Sequence, residues 1–217
     1  MRHEEVVMRE TVTVIVLWLL CAAGSGVGGA EISTASEPAL VIIDIQSFYF
    51  EKGLLPLVGS VEASLRAKAV LETFRARGLP VIHIRHESKK AEEEGKANDP
   101  QYAIHPNVAP VAGEKVVTKN FSNSFRETDL LPYLREKQIH TLVMCGMQTH
   151  MCLEAAARAA ADYGFEVTVV HDACATRTLK FGDREVPADM VHAATLATLD
   201  STYARIVSAD QLIAEMR

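Results

Sequence analysis

The chain has 217 residues, of which 48% are hydrophobic, and it carries a formal net charge of −6 at pH 7. This length supports one full-sized domain with its own core and is too short for two generous domains. The acidic balance, without any basic patch along the sequence, excludes nucleic acid as an expected partner.

The N-terminal segment differs in composition from the rest of the chain. An uncharged apolar run, Thr11–Gly24, is too short for a comfortable membrane span. Gly28 and Ala30 follow it in a small-x-small arrangement that suits cleavage after Ala30. We therefore interpret residues 1–30 as an export signal peptide and residues 37–217 as the folded domain.

A genuine signal predicts a periplasmic or secreted protein that is free of the membrane after cleavage. Two alternatives stay open, a retained membrane anchor and a misassigned start, because the first ten residues carry three Glu against two Arg. Without a signal we expect a cytoplasmic protein.

The remainder of the chain alternates between strand and helix patterns. Near-continuous apolar runs, typical of strands buried on both faces, predict strands at Ala39–Ile45, Leu79–His86, Gly113–Lys119, His140–Met147, Phe165–Ala173 and Ala204–Asp210. Helical periodicity predicts helices at Val61–Gly78, Thr128–Ile139, Thr149–Gly164, Val186–Thr202 and Gln211–Arg217. This order predicts an α/β fold with a doubly wound, six-stranded, mostly parallel sheet and helices on both faces, a Rossmann-like three-layer sandwich.

Two connections have no predicted helix or strand. The longer one, Glu87–Ala112, is densely charged and then broken by prolines. Such a segment either covers the carboxyl edge of the sheet, where these folds bind ligands, or forms a solvated excursion or an oligomer contact. The shorter one, Arg177–Pro187, is read as a loop.

Cys152 stands in the first turn of a predicted helix, directly after a predicted strand. If Thr149 is the N-cap, Cys152 occupies the third helical position, where the helix dipole favours a thiolate and lowers the thiol pKa. The alternative is a small buried hydrophobic side chain, the commoner role of a free cysteine. Cys145 and Cys174 are interpreted as packing residues.

Two charged residues end other predicted strands. Asp44 closes the first strand and Lys119 closes the third. Because the carboxyl ends of parallel strands meet at one edge, we expect these side chains and Cys152 to lie together. A structural ion pair between Asp44 and Lys119 is the alternative interpretation.

Three motifs carry a family resemblance. "VIIDIQ", "VTKNFSNSF" and "GMQTHMCLEAAARAAADYGFEVTVVHDACAT" resemble the isochorismatase-like cysteine hydrolases, a superfamily that includes nicotinamidases and other amidohydrolases. The match spans Ala39–Asp210 in the family's motif order. It implies a catalytic triad of Asp44, Lys119 and Cys152. It also implies a cis peptide bond at Met147–Gln148 and an oxyanion hole formed by the backbone N–H groups of Gln148 and Cys152.

The resemblance implies a cysteine hydrolase that cleaves the C–N bond of a small amide through a thioester, without a cofactor, as a homodimer or homotetramer. The alternatives are an isochorismatase-type or ester hydrolase on the same fold, a thiol redox protein, and a non-catalytic ligand-binding or scaffold domain. Nicotinamidases bind a metal through an Asp-x-His motif and a further His. Here the strand reads "VIHIRHES", and the odd spacing of His83 and His86 points them to opposite faces, so no metal is expected.

Four further residues are candidate substrate contacts. Gln46 lies two residues after Asp44 and either orients Asp44 or meets the substrate. Phe48 and Phe125 flank the Asp44 and Lys119 motifs and are candidates for an apolar pocket, while His150 neighbours Cys152. Arg177 is interpreted as a surface residue in a salt bridge, and a contact to a substrate carboxylate is the alternative.

Overall fold

A computed structural model describes residues 37–87 and 99–217. The predicted signal peptide and the charged part of the Glu87–Ala112 connection, residues 88–98, lie outside the described residues. Within the described ranges, no helix is long and apolar enough to cross a membrane.

Six strands form one sheet in which every neighbouring pair is parallel. They are β1 (Ala39–Ile43), β2 (Val81–His86), β3 (Lys115–Lys119), β4 (Thr141–Met147), β5 (Glu166–Ala175) and β8 (Arg205–Val207). Their spatial order is β3-β2-β1-β4-β5-β8. The chain moves outward from β1 in one direction and then restarts at β4 in the other, which makes the crevice between β1 and β4 the switch point of a doubly wound sheet.

Five α-helices cover the sheet in the described part of the chain. They are α1 (Ser60–Ala76), α2 (Leu130–Glu136), α3 (Glu154–Asp162), α4 (Ala188–Leu199) and α5 (Ala209–Glu215). Helix α1 packs against α5, and α3 packs against α4. Because crossovers between parallel strands are almost always right-handed, helices on the two sides of the switch point are expected on opposite faces of the sheet. The predicted α/β class, sheet size and layer arrangement are therefore confirmed.

The predicted loop at Arg177–Pro187 is wrong. The chain there forms an antiparallel hairpin of β6 (Leu179–Phe181) and β7 (Arg184–Val186), turning at Gly182, whose φ is +58°. The strands are too short and too polar to produce an apolar run, so no alternating pattern marks them in the sequence. Phe181 at the hairpin turn is 84% exposed.

The two central strands lie close together at their carboxyl ends. Strand β1 is completely buried, as its uninterrupted apolar sequence requires. Beside its last residue, Gly146 of β4 adopts a φ of +130°, and a Cβ atom there would lie 2.0 Å from the carbonyl oxygen of Ile43. Glycine therefore lets β4 pass close to β1 just before the segment that carries Cys152.

Candidate active site

Asp44 and Lys119 reach the same point from strands that are separated by β2. The Asp44 backbone N–H extends the parallel ladder to Ile84, and Lys119 pairs in register with His86. Asp44 has a φ of +48°, in the left-handed region that Asp tolerates better than most residues, and β1 ends there. The Lys119 Nζ atom spans the width of β2 and lies 2.7 Å from Asp44 Oδ2.

Cys152 completes this group from the other side of the switch point. Its Sγ atom lies 3.3 Å from Lys119 Nζ, which also donates to the Phe121 carbonyl oxygen at 3.1 Å. The Asp44 and Lys119 side chains have no solvent exposure, and Cys152 is 7% exposed. The three residues predicted to lie together are therefore brought together, in a buried site where charges interact strongly.

The helix that carries Cys152 begins differently from the prediction. Residue Gln148, rather than Thr149, precedes the first helical residue, and the first turn, Thr149–Leu153, is a wide π-turn. The Gln148 carbonyl oxygen accepts hydrogen bonds from the N–H groups of Met151 and Leu153. Such wide turns occur frequently at functional sites. The peptide bond Met147–Gln148 is cis, at the position that the family resemblance implies.

The predicted lowering of the Cys152 pKa is wrong. Burial raises the pKa of this thiol to about 12, the Asp44 carboxylate acts in the same direction, and the Lys119 charge opposes them. The helix-dipole argument failed because the thiolate would have to be desolvated beside a buried carboxylate. This direction favours the neutral thiol of Cys152 beside the Asp44 carboxylate.

Asp44 has few competing donors. Apart from Lys119 and the Cys152 thiol, no described group donates a hydrogen bond to its buried carboxylate oxygens. The oxygens of this carboxylate therefore keep lone pairs that can accept a further hydrogen bond. Asp44 is thus placed to take the thiol proton as sulfur attacks an electrophile.

A cavity of about 320 Å³ opens onto Cys152. Its walls are largely aromatic and aliphatic, formed by Phe48, Tyr49, Leu54, Leu55, Tyr102 and Met151. Three polar residues, His86, Ser122 and Gln148, also line it. An apolar cavity of this size with a few polar groups fits a small organic molecule. Part of the Glu87–Ala112 connection does reach this edge of the sheet, because Tyr102 belongs to it.

Only one of the four predicted substrate contacts lines the cavity. That residue is Phe48, whose ring centroid is 4.1 Å from that of Tyr49 and 5.6 Å from that of Tyr102. Phe125 instead packs against Tyr163, at 5.3 Å between ring centroids. The Phe125 side chain is apolar and 6% exposed, so Phe125 belongs to the core.

Gln46 and His150 make structural hydrogen bonds rather than lining the cavity. The Gln46 side chain is completely buried, accepts from the His86 N–H, and donates to the carbonyl oxygens of His86 and Tyr102. Both ends of its side-chain amide are therefore occupied, and Gln46 contacts Asp44 through its backbone N–H, which donates to the Asp44 carbonyl oxygen at 2.9 Å. His150 Nδ1 lies 2.6 Å from the Thr176 hydroxyl oxygen, and His150 is not among the residues that line the cavity.

The interpretation of Arg177 as a surface residue is also wrong. Its Nε atom donates to the Oε1 atom of Gln148 at 3.2 Å, and Gln148 in turn donates to the Tyr49 hydroxyl at 3.3 Å. A lone arginine after a strand has no distinguishing sequence pattern, so this link could not be predicted. Arg177 comes close to the segment that carries Cys152 only because β5 lies beside β4 in the folded sheet.

His83 and His86 occupy different environments. His83 is 1% exposed, and its Nε2 atom lies 2.8 Å from a Glu114 carboxylate oxygen, whereas His86 lines the cavity. Their separation agrees with the alternation of side chains along a strand. Among the described residues, no group of three or more His, Cys, Asp or Glu side chains is arranged to hold a metal ion.

A doubly wound sheet with a buried Asp–Lys–Cys group at its switch point defines an α/β domain with the elements of a nucleophilic-cysteine site. The model of the isochorismatase domain family matches residues 38–211, and the chain belongs to this family of hydrolases.

Relatives and solved structures agree with this assignment. The chain is 39% identical over 176 residues to the uncharacterized isochorismatase family protein YddQ of Bacillus subtilis, covering 81% of this chain and 98% of that protein. It is 31% identical over 207 residues to the maleamate amidohydrolase of Pseudomonas putida, covering 88% and 92%. A crystal structure described as an isochorismatase hydrolase from Oleispira antarctica superposes with a TM-score of 0.80 at 44% identity, covering 84% and 99%.

Proposed function

We propose that this protein is a cysteine hydrolase that cleaves the C–N bond of a small amide through a thioester intermediate. The observation that carries the proposal is the buried contact of the Cys152 thiol with both Lys119 and Asp44, beside a largely apolar cavity that Cys152 lines. A relative 31% identical to the chain is a maleamate amidohydrolase, which supports amide chemistry.

In the first half of the reaction, Asp44 accepts the Cys152 proton while sulfur forms a bond to the amide carbonyl carbon. The positive charge of Lys119 stabilises the sulfur anion as it develops. The backbone N–H groups of Gln148 and Cys152 are the proposed donors to the oxyanion. When the C–N bond breaks, Asp44 returns its proton to the leaving nitrogen, and a thioester remains on Cys152.

In the second half, Asp44 accepts a proton from a water molecule whose oxygen attacks the thioester carbonyl carbon. The S–C bond breaks, the acid product leaves, and the Asp44 proton returns to sulfur. Every proton therefore passes through one carboxylate, and the ion pair with Lys119 holds that carboxylate in place.

The test is a screen of small amides, ureides and lactams for release of ammonia or acid, with Cys152→Ala as the variant. We expect Cys152→Ala to abolish turnover, by about 10³-fold or more. The matched control is Cys174→Ala, because Cys174 is a buried thiol of similar exposure that donates to the Val170 carbonyl oxygen within its own strand. Hydroxylamine should divert the thioester to a hydroxamate in the wild type. Full activity of Cys152→Ala would refute the proposal.

The alternatives predict other results. An ester hydrolase would turn over esters but no amide in the panel, and an isochorismatase-type enzyme would cleave a vinyl ether without forming a hydroxamate. A thiol redox protein would consume peroxide with a reductant. Neither Cys145 nor Cys174, the other free cysteines of the described residues, lines the cavity with Cys152. A redox protein would need a second thiol that can react with an oxidised Cys152. No such thiol lines the cavity in the described part of the chain.

A further inference from the structure

The walls of the cavity beside Cys152 carry no permanently charged side chain among the described residues. None of the residues that line it is Asp, Glu, Lys or Arg, and apart from Cys152 its titratable members are Tyr49 and His86. A histidine ordinarily has a pKa of about 6.5 and a tyrosine of about 10, so both side chains are neutral at pH 8. A charged group of a substrate would therefore meet no counter-ion on these walls.

Lys119, the cation in contact with Cys152, is already surrounded by protein partners. A lysine ammonium has three N–H groups. The Nζ atom lies 2.7 Å from an Asp44 carboxylate oxygen, 3.3 Å from Cys152 Sγ and 3.1 Å from the Phe121 carbonyl oxygen. Three partners account for the three N–H groups, and the Asp44 carboxylate would repel a second anion.

Arg177 contacts the cavity only through another residue. Its Nε atom donates to the side-chain oxygen of Gln148 at 3.2 Å, and Gln148 lines the cavity whereas Arg177 does not. The other end of the Gln148 amide donates to the Tyr49 hydroxyl at 3.3 Å. The cavity wall at this position is therefore a neutral amide whose two ends are both hydrogen-bonded.

Most of the wall is aromatic and aliphatic. The Phe48 ring centroid lies 4.1 Å from that of Tyr49 and 5.6 Å from that of Tyr102, so the three rings form one continuous surface. The cavity volume of about 320 Å³ is near the lower end of the range for ligand cavities, which begins at about 300 Å³. Burying an unpaired charge against such a surface is strongly unfavourable, whereas burying an apolar group there stabilises the complex.

We propose that the substrate is a small amide whose acyl group is apolar and uncharged. The inference rests on the proposed amide hydrolysis and deepens it, because it selects among the amides that such a site could cleave. It disfavours amides whose acyl part carries a carboxylate or an ammonium group. A charged acyl group would have to leave water without gaining a counter-ion in the cavity.

The experiment compares pairs of amides that have similar shapes and differ in charge, at pH 8. Succinamate is paired with 4-methylpentanamide, in which an isopropyl group replaces the carboxylate. 4-Aminobutanamide is paired with pentanamide, in which a methyl group replaces the ammonium. The quantity measured is the ratio of kcat/KM within each pair, and we expect the wild type to prefer the uncharged member of each pair by about 100-fold or more.

Leu54→Arg tests whether charge is the cause of this preference. Leu54 lines the cavity and is 66% exposed, so an arginine at this position can be accommodated at the edge of the cavity. We expect Leu54→Arg to shift the ratio of the first pair toward succinamate by about tenfold. Leu65→Arg is the matched control, because Leu65 is a 51% exposed leucine of α1 that does not line the cavity. It should leave the ratio unchanged.

Each other outcome has a defined meaning. Equal kcat/KM within the pairs, or a preference for a charged member, would overturn the inference, and loss of a succinamate preference in Arg177→Gln would identify Arg177 as the selecting group. Equal shifts in Leu54→Arg and Leu65→Arg, with both variants folded by thermal unfolding, would also overturn it.

The failure of the inference and the failure of the proposed function are distinguishable. If the wild type hydrolyses other amides of the wider panel but no member of these pairs, the inference is overturned while the proposed function stands. If the wild type hydrolyses no amide at all, the proposed function fails and the inference with it.

Discussion

At the scale of single residues, the site is an electrostatic balance among one thiol, one ammonium and one carboxylate. Burial and Asp44 raise the pKa of Cys152, while Lys119 lowers it. The Lys119 charge therefore has two partners, the carboxylate at 2.7 Å and the sulfur at 3.3 Å. When Cys152 carries the proton, Lys119 stabilises the Asp44 carboxylate, and when Asp44 carries it, Lys119 stabilises the Cys152 thiolate. The proposed chemical step transfers this proton from Cys152 to Asp44.

The balance predicts opposite effects on reactivity and catalysis when the carboxylate is removed. Asp44→Asn leaves Lys119 without its carboxylate, so the thiolate becomes its counter-ion and the pKa of Cys152 falls. We expect iodoacetamide to alkylate Cys152 faster in Asp44→Asn than in the wild type at pH 8, although amide turnover is lost. The measurement is the alkylation rate by mass spectrometry of the Cys152 peptide.

Lys119→Met is the matched control for this prediction. It removes the ammonium and leaves the carboxylate, so the pKa of Cys152 should rise further and alkylation should become slower than in the wild type. Slower alkylation of Asp44→Asn would show that the carboxylate does not oppose ionisation of the thiol, and the proposed role of Asp44 as proton acceptor would have to be abandoned.

At the scale of elements, the turn that carries Cys152 is tied to one neighbouring segment. Three consecutive side chains, those of Gln148, Thr149 and His150, pair with Arg177, His192 and Thr176 respectively, at distances of 3.2, 3.0 and 2.6 Å. All three partners lie between the end of β5 and the middle of α4. Burial lowers the pKa of His192, so its bond to Thr149 is made by a neutral ring. These bonds orient the wide first turn and with it the Cys152 sulfur.

We expect Thr149→Val to lower kcat by about 10- to 100-fold with little change in KM, because the loss of one bond loosens the nucleophile turn without altering the cavity walls. Thr149→Ser, which keeps the hydroxyl, should restore most of the rate. Thr195→Val is the control, since this buried threonine of α4 donates only within its own helix, to the Val191 carbonyl oxygen. Equal rates for Thr149→Val and Thr195→Val would contradict the positioning role.

Strand patterns and strand ends predicted much of this molecule, whereas pairings that cross between elements could not be predicted. Asp44 and Lys119 were recognisable because charges ended apolar runs, and the topology of parallel sheets then placed them together. The Arg177–Gln148 bond joins residues 29 positions apart, and the Gln46 side-chain bonds join residues 40 or more positions apart. No local sequence pattern indicates such pairs. The thiol pKa was mispredicted for the same reason, since burial is a property of the folded site.

At the scale of the whole molecule, the strand that ends at Lys119 is anchored at its other end by a second buried network. Glu114, directly before β3, accepts bonds from Arg75 of α1 at 2.7 and 2.8 Å and from the Val111 N–H, and its carboxylate contacts His83 of β2. The network joins a helix, a central strand and an edge strand. It therefore fixes the edge of the sheet from which Lys119 reaches the site.

This network gives the fold a defined sensitivity to acid. Burial raises the pKa of Glu114, but the bonds from Arg75, Val111 and His83 outweigh it and lower the pKa from 4.5 to about 2. Because the folded pKa is depressed, the stabilisation is fully present above about pH 4.5 and is lost as the pH falls toward 2. Glu114→Gln should lower the free energy of unfolding at pH 7 by about 1–3 kcal/mol. This deficit should shrink between pH 4.5 and 2, as measured by urea unfolding across that range.

The control for this prediction is Glu215→Gln, which removes a carboxylate that also pairs with an arginine through two contacts but is exposed to solvent. An exposed pair contributes little to stability, so this variant should unfold almost like the wild type at every pH. If Glu114→Gln and Glu215→Gln behaved alike, the Glu114 network would not stabilise the edge of the sheet. Loss of turnover in Glu114→Gln at temperatures where it remains folded would, in contrast, show that the anchor of β3 also governs where Lys119 meets Asp44 and Cys152.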